Sequence, residues 1–417
     1  MGPLSALLRR VVRQGDLTVI DADGQRHRFG NGQGVSCTIR LTDRRIPWAI
    51  AMNPTLGCGE GYMDGRIVLE DGDILDLINL FTGNLHWHPD NELRNPLKHT
   101  PRWWTALQQW NSQRSARKNV AHHYDLSGKL YDLFLDPDRQ YSCAYFRDPA
   151  VGLEKAQLDK KAHIAAKLLL DRPGLSVLDI GCGWGGLALY LNQVASARVT
   201  GITLSEEQLA VARQRAIDAG VTEDVSFQLT DYRDMREKFD RIVSVGMFEH
   251  VGKPYYETYF EKACELLKDD GVMLLHTIGR ADGPGVTDPW TRKYIFPGGY
   301  CPALSEIMPA IERAGLYVTD VEVLRLHYMH TLQHWYDRAR EEKDAIVRLY
   351  DERFWRMWMF YLAGALCAFR HNGHVVFQIQ LARRVDSVPI TRDYMAQAEA
   401  KLLSAEPWSK VASPVVP

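Results

Sequence analysis

The run Val177-Leu178-Asp179-Ile180-Gly181-Cys182-Gly183-Trp184-Gly185-Gly186 places an apolar strand, a glycine-rich turn and a helix start in direct succession. Glycines there let a backbone approach a ligand closely where a strand hands over to a helix. The surrounding pattern agrees: strand-like runs recur at 176–181, 197–203, 225–230, 240–246, 271–277, 316–324 and 374–383, and helix-like stretches fill most of the gaps. Alternation of this kind builds a parallel, doubly wound α/β sheet of Rossmann-like form. A helical insertion at about 327–372 separates the last two strands, and in it Ile346, Tyr350, Phe354, Trp358 and Leu362 recur every four residues. Such a stripe is the usual mark of a core face; an aromatic helix over a cleft also walls a lipid tunnel.

Upstream the chain changes character. Leu17 to Phe29 reads as two short strands around Asp23-Gly24, and Asp71 to Phe81 as an apolar-faced helix behind a glycine-rich turn. The expected division is a small N-terminal α+β domain at 1–100, associated with lipid or membrane, and a linker with a helical segment over the active site at 101–170. The sheet domain follows at 171–390 and a C-terminal tail at 391–417.

With 46% hydrophobic residues, the 417-residue chain can bury a large core, which excludes disorder. A net charge of -2 gives no global drive towards nucleic acid, so none is expected as a partner. Residues 1–120 carry 15 basic and 12 acidic side chains against 35 and 40 in the rest. Within that basic part, Arg9, Arg10 and Arg13 alternate with apolar pairs, and Arg114, Arg117 and Lys118 lie near Trp103, Trp104 and Trp110. Both groups read either as solvated faces or as patches for anionic lipid, where each basic group contributes about 1 kcal/mol. The seven cysteines are scattered without a CxxC pair, and no long apolar segment or signal peptide is recognisable, so a cytoplasmic protein is expected.

The glycine turn satisfies GxGxxG, a pattern shared with dinucleotide binders. Two details separate the ligands. Asp179 stands two residues before the first glycine, and the second strand ends in Gly201-Ile202-Thr203-Leu204-Ser205 without an acid for an adenine-side ribose. A diphosphate favours bare backbone amides, whereas S-adenosylmethionine carries a sulfonium and an ammonium that tolerate a carboxylate. The sequence therefore favours S-adenosylmethionine over NAD. Ligands of such sheets lie beyond the carboxyl ends of the strands. That rule nominates Thr203 and Gln208, then Asp231-Tyr232-Arg233, Glu249-His250 and His276.

Several longer motifs are recognisable. They are His123-Tyr124-Asp125-Leu126, Leu135-Asp136-Pro137, Tyr141-Ser142-Cys143-Ala144-Tyr145-Phe146, Asp231-Tyr232-Arg233-Asp234, Met247-Phe248-Glu249-His250-Val251-Gly252, Leu275-His276-Thr277-Ile278-Gly279 and Tyr294-Ile295-Phe296-Pro297-Gly298-Gly299. In this order they strongly resemble the cyclopropane fatty acid synthase and mycolic acid methyltransferase family over about residues 120–384. Gly59-Glu60-Gly61-Tyr62-Met63-Asp64-Gly65 extends the resemblance to its phospholipid-acting bacterial branch.

The resemblance implies a class I methyltransferase that transfers a methylene group from S-adenosylmethionine to the cis double bond of an unsaturated phospholipid acyl chain. It implies that Tyr141, Ser142, Gly181, Gly183, Thr203, Gln208, Asp231, Tyr232 and Arg233 join Asp179 around the cofactor. It further implies a bound bicarbonate as base, held by Cys143, Glu249, His276 and Tyr328 with the backbone of Ile278. A peripheral membrane surface is the implied partner. A homodimer comes with the resemblance too, although no residue argues for it alone. No metal is expected, because the spacings of Cys143, Glu249 and His276 form no short ligand motif.

Attack by an alkene on a methyl group yields a carbocation, so the site must exclude water, take a proton and present aromatic faces. Tyr145, Phe146, Phe248 and Tyr294 are candidates for those faces. One departure stands out: many members of the family have a cysteine at the place of Ala365, and this chain has Cys367 two residues later. The same fold and cofactor with a methyl-branched or methylene-bearing product is the nearest alternative. A non-catalytic lipid-binding protein is the other.

Overall fold

The computed structural model describes residues 1–85 and 127–404. The tryptophans and basic residues at 103–118 and the motif His123–Leu126 lie outside the described residues, as does the end of the tail.

The N-terminal part is a four-stranded sheet with helices on it. Strands β1 (Gly15–Ile20), β2 (Arg26–Gln33), β3 (Ser36–Leu41) and β4 (Ile67–Asp71) lie in the order β2-β1-β3-β4. The β1–β2 hairpin turns at Gly24, whose positive φ of 81° suits glycine, and the Asp21 side chain accepts from the backbone N–H groups of Asp23 and Gln25. Strands β3 and β4 were not expected from the sequence, although Ser36-Cys37-Thr38-Ile39-Arg40-Leu41 alternates as a half-buried strand should. The expected helix at Asp71–Phe81 begins later, at Ile74: Asp71 belongs to β4, and Asp73 forms a capping box with Asp76.

The second sheet contains β5 (Ser176–Ile180), β6 (Arg198–Thr203), β7 (Val225–Leu229), β8 (Phe239–Val245), β9 (Leu267–Arg280), β10 (Tyr317–Leu324) and β11 (His374–Ala382). Their order is β10-β11-β9-β8-β5-β6-β7. Strands β5 to β9 run parallel and are rich in buried apolar residues, as a sheet covered on both faces requires. Strand β11 differs, because it enters between β9 and β10 and runs antiparallel to both. The chain leaves β5 towards β6 on one side and reaches β8 on the other, so the turn after β5 opens at the point where strand order reverses.

The insertion consists of helices His327–Glu341, Lys343–Leu349 and Glu352–His371. The expected four-residue stripe is interrupted at Asp351, whose side chain caps the last helix. Its rings nevertheless stack, Tyr350 on Phe354 at 3.9 Å and Phe354 on Trp358 at 6.1 Å between centroids. These helices share one continuous apolar core with the N-terminal sheet, from Leu4 to Val376. The Gly59–Gly65 motif lies on and just beyond the helix Pro54–Met63, where Glu60 accepts from Lys293 (2.6 Å) and Tyr294 (2.8 Å), and Asp64 accepts from Arg353 (2.8 Å).

Candidate active site

The cleft at the carboxyl end of β5 is built first by its glycines. Gly181 has φ +82°, and a Cβ there would lie 2.9 Å from Met247; Gly183 has φ +55°, and its missing Cβ would enter open space. A side chain at either position would be strained, and at Gly183 it would occupy the cleft itself.

Tyr141, Ser142, Asp179, Gly181, Gly183, Thr203, Gln208, Asp231, Tyr232 and Arg233 all line this one cleft, together with His250. Thr203 donates to the Gln208 side chain at 3.1 Å. Asp231 receives both sides of the Arg233 guanidinium, at 2.8 and 2.6 Å, so that charge pair is closed on itself. Asp179 is different. Its carboxylate is 2% exposed, Oδ2 has no hydrogen-bond partner, and burial raises its pKa to about 7. A buried carboxylate with an unpartnered oxygen beside a glycine turn, in a cleft whose Arg233 is already paired with Asp231, fits a cationic cofactor without phosphates better than a diphosphate.

Glu249, His276 and Ile278 stand at the next strand ends. Glu249 Oε1 accepts from the Ile278 backbone N–H at 2.6 Å, whereas Oε2 is buried without a partner of normal geometry. Burial raises the Glu249 pKa to about 7 and lowers that of His276 to about 3, so the imidazole is neutral. The Gln378 amide lies 3.1 Å from His276 Nδ1, across the β11–β9 pairing. Cys143 is buried beside Thr331, which accepts from the Ala144 N–H at 3.0 Å, and burial pushes the thiol pKa up. Tyr328 is buried against Trp335 and Phe369. Of these, the structure joins Glu249 to Ile278 and sets both beside the cleft: Val245, in the cleft wall, pairs with His276, and Glu249 follows the wall residue Met247 by two positions, whereas Cys143 follows the wall residue Ser142 and Tyr328 packs on Trp335 and Phe369.

Three of the candidate cation-facing rings are otherwise engaged. Tyr145 stacks on His163 and His327, at 4.1 and 4.9 Å, and Phe146 stacks on His334 at 5.8 Å. Phe248 is fully buried among Tyr256, Tyr259 and Phe260. Alternation of polarity does not show which side of a loop a ring takes, and here tertiary packing decides. The aromatic neighbours of the cleft are others: Tyr141 stacks on Trp335 at 5.1 Å, and its hydroxyl meets that of Tyr361 at 3.1 Å. Lys160 and Gln378 also escape sequence reading. Lys160 lies between Ala156 and Ile164 on the buried face of its helix, and a cation on an apolar face is a signal that was available.

Residues 111–379 match the family model described as mycolic acid cyclopropane synthetase. The chain belongs to this family. It is 42% identical over 335 residues to the cyclopropane-fatty-acyl-phospholipid synthase of Escherichia coli, covering 80% of this chain and 84% of that one. A probable fatty acid methyltransferase of Pseudomonas putida is 38% identical over 381 residues, covering 88% and 94%. Among solved structures, the mycolic acid cyclopropane synthase CmaA1 complexed with SAH and CTAB is 34% identical, with a TM-score of 0.61 over 64% of this chain and 98% of that one. Family membership makes the chain an S-adenosylmethionine-dependent methyltransferase with the class I fold.

Proposed function

We propose that this enzyme builds a cyclopropane ring on the cis double bond of an unsaturated phospholipid acyl chain, using residues Tyr141 to Arg233 named above for the cofactor and Cys143, Glu249, His276, Ile278 and Tyr328 for the base. The observation that carries the reading is the Glu249–Ile278 hydrogen bond two residues beyond the wall of a cleft that holds the unpartnered Asp179 Oδ2. S-adenosylmethionine supplies an electrophilic methyl group. The alkene attacks it, and a proton must then leave the transferred carbon for the ring to close. A bicarbonate ion held by the residues named for the base would supply the acceptor. Glu249, with a pKa near neutrality, can donate from Oε2 to such an anion, and the neutral His276 adds no competing charge.

No helix among the described residues is long and apolar enough to cross a membrane. Arg9, Arg10 and Arg13 are exposed, and the helix Ile46–Met52, which packs against the helix Gly2–Val11, exposes Trp48 (59%) and Met52 (83%). Basic side chains beside exposed apolar ones suit the surface of an anionic bilayer, so a cytoplasmic, peripherally bound enzyme is the reading they support. A homodimer would offer two such faces and gain avidity.

A methyl-branched product is the second reading. The observation that favours it is Ala365 at the family's cysteine position. Mass spectrometry and proton resonance of lipids from cells expressing the protein test both. A mass gain of one CH2 with loss of the alkene resonance and appearance of ring protons supports cyclopropanation. Unmodified acyl chains overturn both readings.

A further inference from the structure

Helix Leu153–Lys167 presents Gln157, Lys160 and Lys161 to the segment 138–144, and each holds a different part of it. Gln157 donates from Nε2 to the carbonyls of Gln140 and Ser142, both at 3.1 Å. Lys161 Nζ reaches Asp138 at 2.6 Å. Lys160 Nζ donates to Gln140 Oε1 at 2.7 Å and to Ser142 Oγ at 2.9 Å, is 1% exposed, and lines the cofactor cleft.

The charge of Lys160 is felt on both sides. It is the charged group that opposes the effect of burial on Asp179, and it acts likewise on Cys143; at His276 it adds to the effect of burial. Burial lowers the pKa of Lys160 itself to about 8, with Asp136 and Asp138 opposing that effect and Lys161 adding to it, so the ammonium is charged on the acidic side of the range. Lys160 and Asp179 line the same cleft, where the charge of Lys160 acts on the carboxyl group and the carboxyl group in turn raises the pKa of the Cys182 thiol. The remaining arginines of the cleft are tied elsewhere, Arg139 to Asp132 and Arg233 to Asp231. Burial lowers the pKa of His250 to about 4, outside the neutral range.

We propose that Lys160 is a positioning residue of the transfer site, anchoring Gln140 and Ser142 and, from the same cleft, supplying the counter-charge of the Asp179 carboxylate. The inference rests on the cofactor reading above. A buried carboxylate without a counter-charge takes up a proton, and a protonated Asp179 offers a cationic cofactor much less. Lys160 thus carries a cost of burial that the geometry offsets at two places: the side chains of Gln140 and Ser142 are anchored, and Asp179 is held closer to its ionised form.

The test is calorimetric titration of S-adenosylmethionine into the full chain between pH 5.5 and 9, comparing wild type, Lys160→Met, Lys160→Arg and Gln157→Leu. Affinity should fall on the acidic side as Asp179 is protonated. In Lys160→Met that fall should begin about one pH unit higher, a roughly tenfold loss at the acidic end, and Lys160→Arg should keep the wild-type profile. Gln157→Leu, which loosens the same segment without touching charge, should weaken binding equally at every pH. Lys160→Gln gives the same readout where Lys160→Met is insoluble. Coincident pH profiles for the wild type and the uncharged variants, or a matching shift in Gln157→Leu, overturn the inference. A wild type that binds no S-adenosylmethionine at any pH overturns the cofactor reading instead.

Discussion

Glu249 accepts a 2.6 Å hydrogen bond from the backbone of Ile278 through Oε1, and its Oε2 is buried without a partner of normal geometry. The bond fixes the carboxyl group, and the Thr277 hydroxyl alongside donates to the Ile278 carbonyl. Replacing Glu249 with Gln keeps an oxygen for the Ile278 N–H but removes the acid. Turnover should fall by about 10² to 10⁴, the range of general acid–base effects, with the affinity for S-adenosylmethionine little changed. Steady-state rates in buffers stripped of carbon dioxide should also fall for the wild type and recover with added bicarbonate. An unchanged rate in either experiment removes this group from the proton's route.

The same residue makes a stability prediction. Its folded pKa, about 7, is raised above the ordinary carboxyl value by burial, so the native state binds the proton more tightly than the unfolded chain. The resulting stabilisation is full below the unfolded pKa and is lost as pH rises towards 7 and beyond. Glu249→Gln lacks this dependence. Its stability relative to wild type should therefore rise by about 2–3 kcal/mol between pH 4 and pH 8, measurable by urea denaturation. Parallel pH profiles would show that Glu249 is not held neutral by the fold.

Gly183→Val should abolish binding of S-adenosylmethionine and of its demethylated product. The backbone is left-handed there, which a β-branched residue resists by at least about 1–2 kcal/mol, and the new side chain enters the cleft. Calorimetry on a variant whose circular dichroism matches the wild type checks this. Retained binding contradicts the placement of the cofactor against this turn.

At the N-terminal face, charge and apolar contact should separate. Arg9, Arg10 and Arg13 changed together to Gln should weaken binding to anionic vesicles at low salt, by about 1 kcal/mol per charge, with little effect at high salt. Trp48→Ala with Met52→Ala should weaken it at every ionic strength. Vesicle sedimentation that shows equal binding of all variants removes this face from the membrane contact.

The sheet was legible because its signals are local. Runs such as 374–383 alternate with helical stretches, and β11 occupies His374–Ala382. The cleft-lining residues Thr203, Gln208, Asp231, Tyr232, Arg233 and His250 follow from strand ends, since the rule that ligands gather there needs only the order of elements, whereas Tyr141 and Ser142 come with the family resemblance alone. What escaped depends on distant partners. The neighbour of His276 is Gln378, 102 residues away on a strand whose reversed direction is not written in its own composition. Lys160 is buried because Gln140 and Ser142 reach it from a loop. Phe248 points into the core because Tyr256, Tyr259 and Phe260 from the following helix pack around it.

The most direct measurement follows the transferred carbon. The purified enzyme is given trideuteromethyl S-adenosylmethionine and vesicles of a monounsaturated phospholipid, and the acyl product is analysed by mass spectrometry and carbon resonance. Loss of one deuterium to the base during ring closure predicts a product carrying CD2 and no olefinic carbon. A product that retains all three deuterium atoms, or that keeps an olefinic carbon, contradicts cyclopropanation by proton removal from the transferred methyl group.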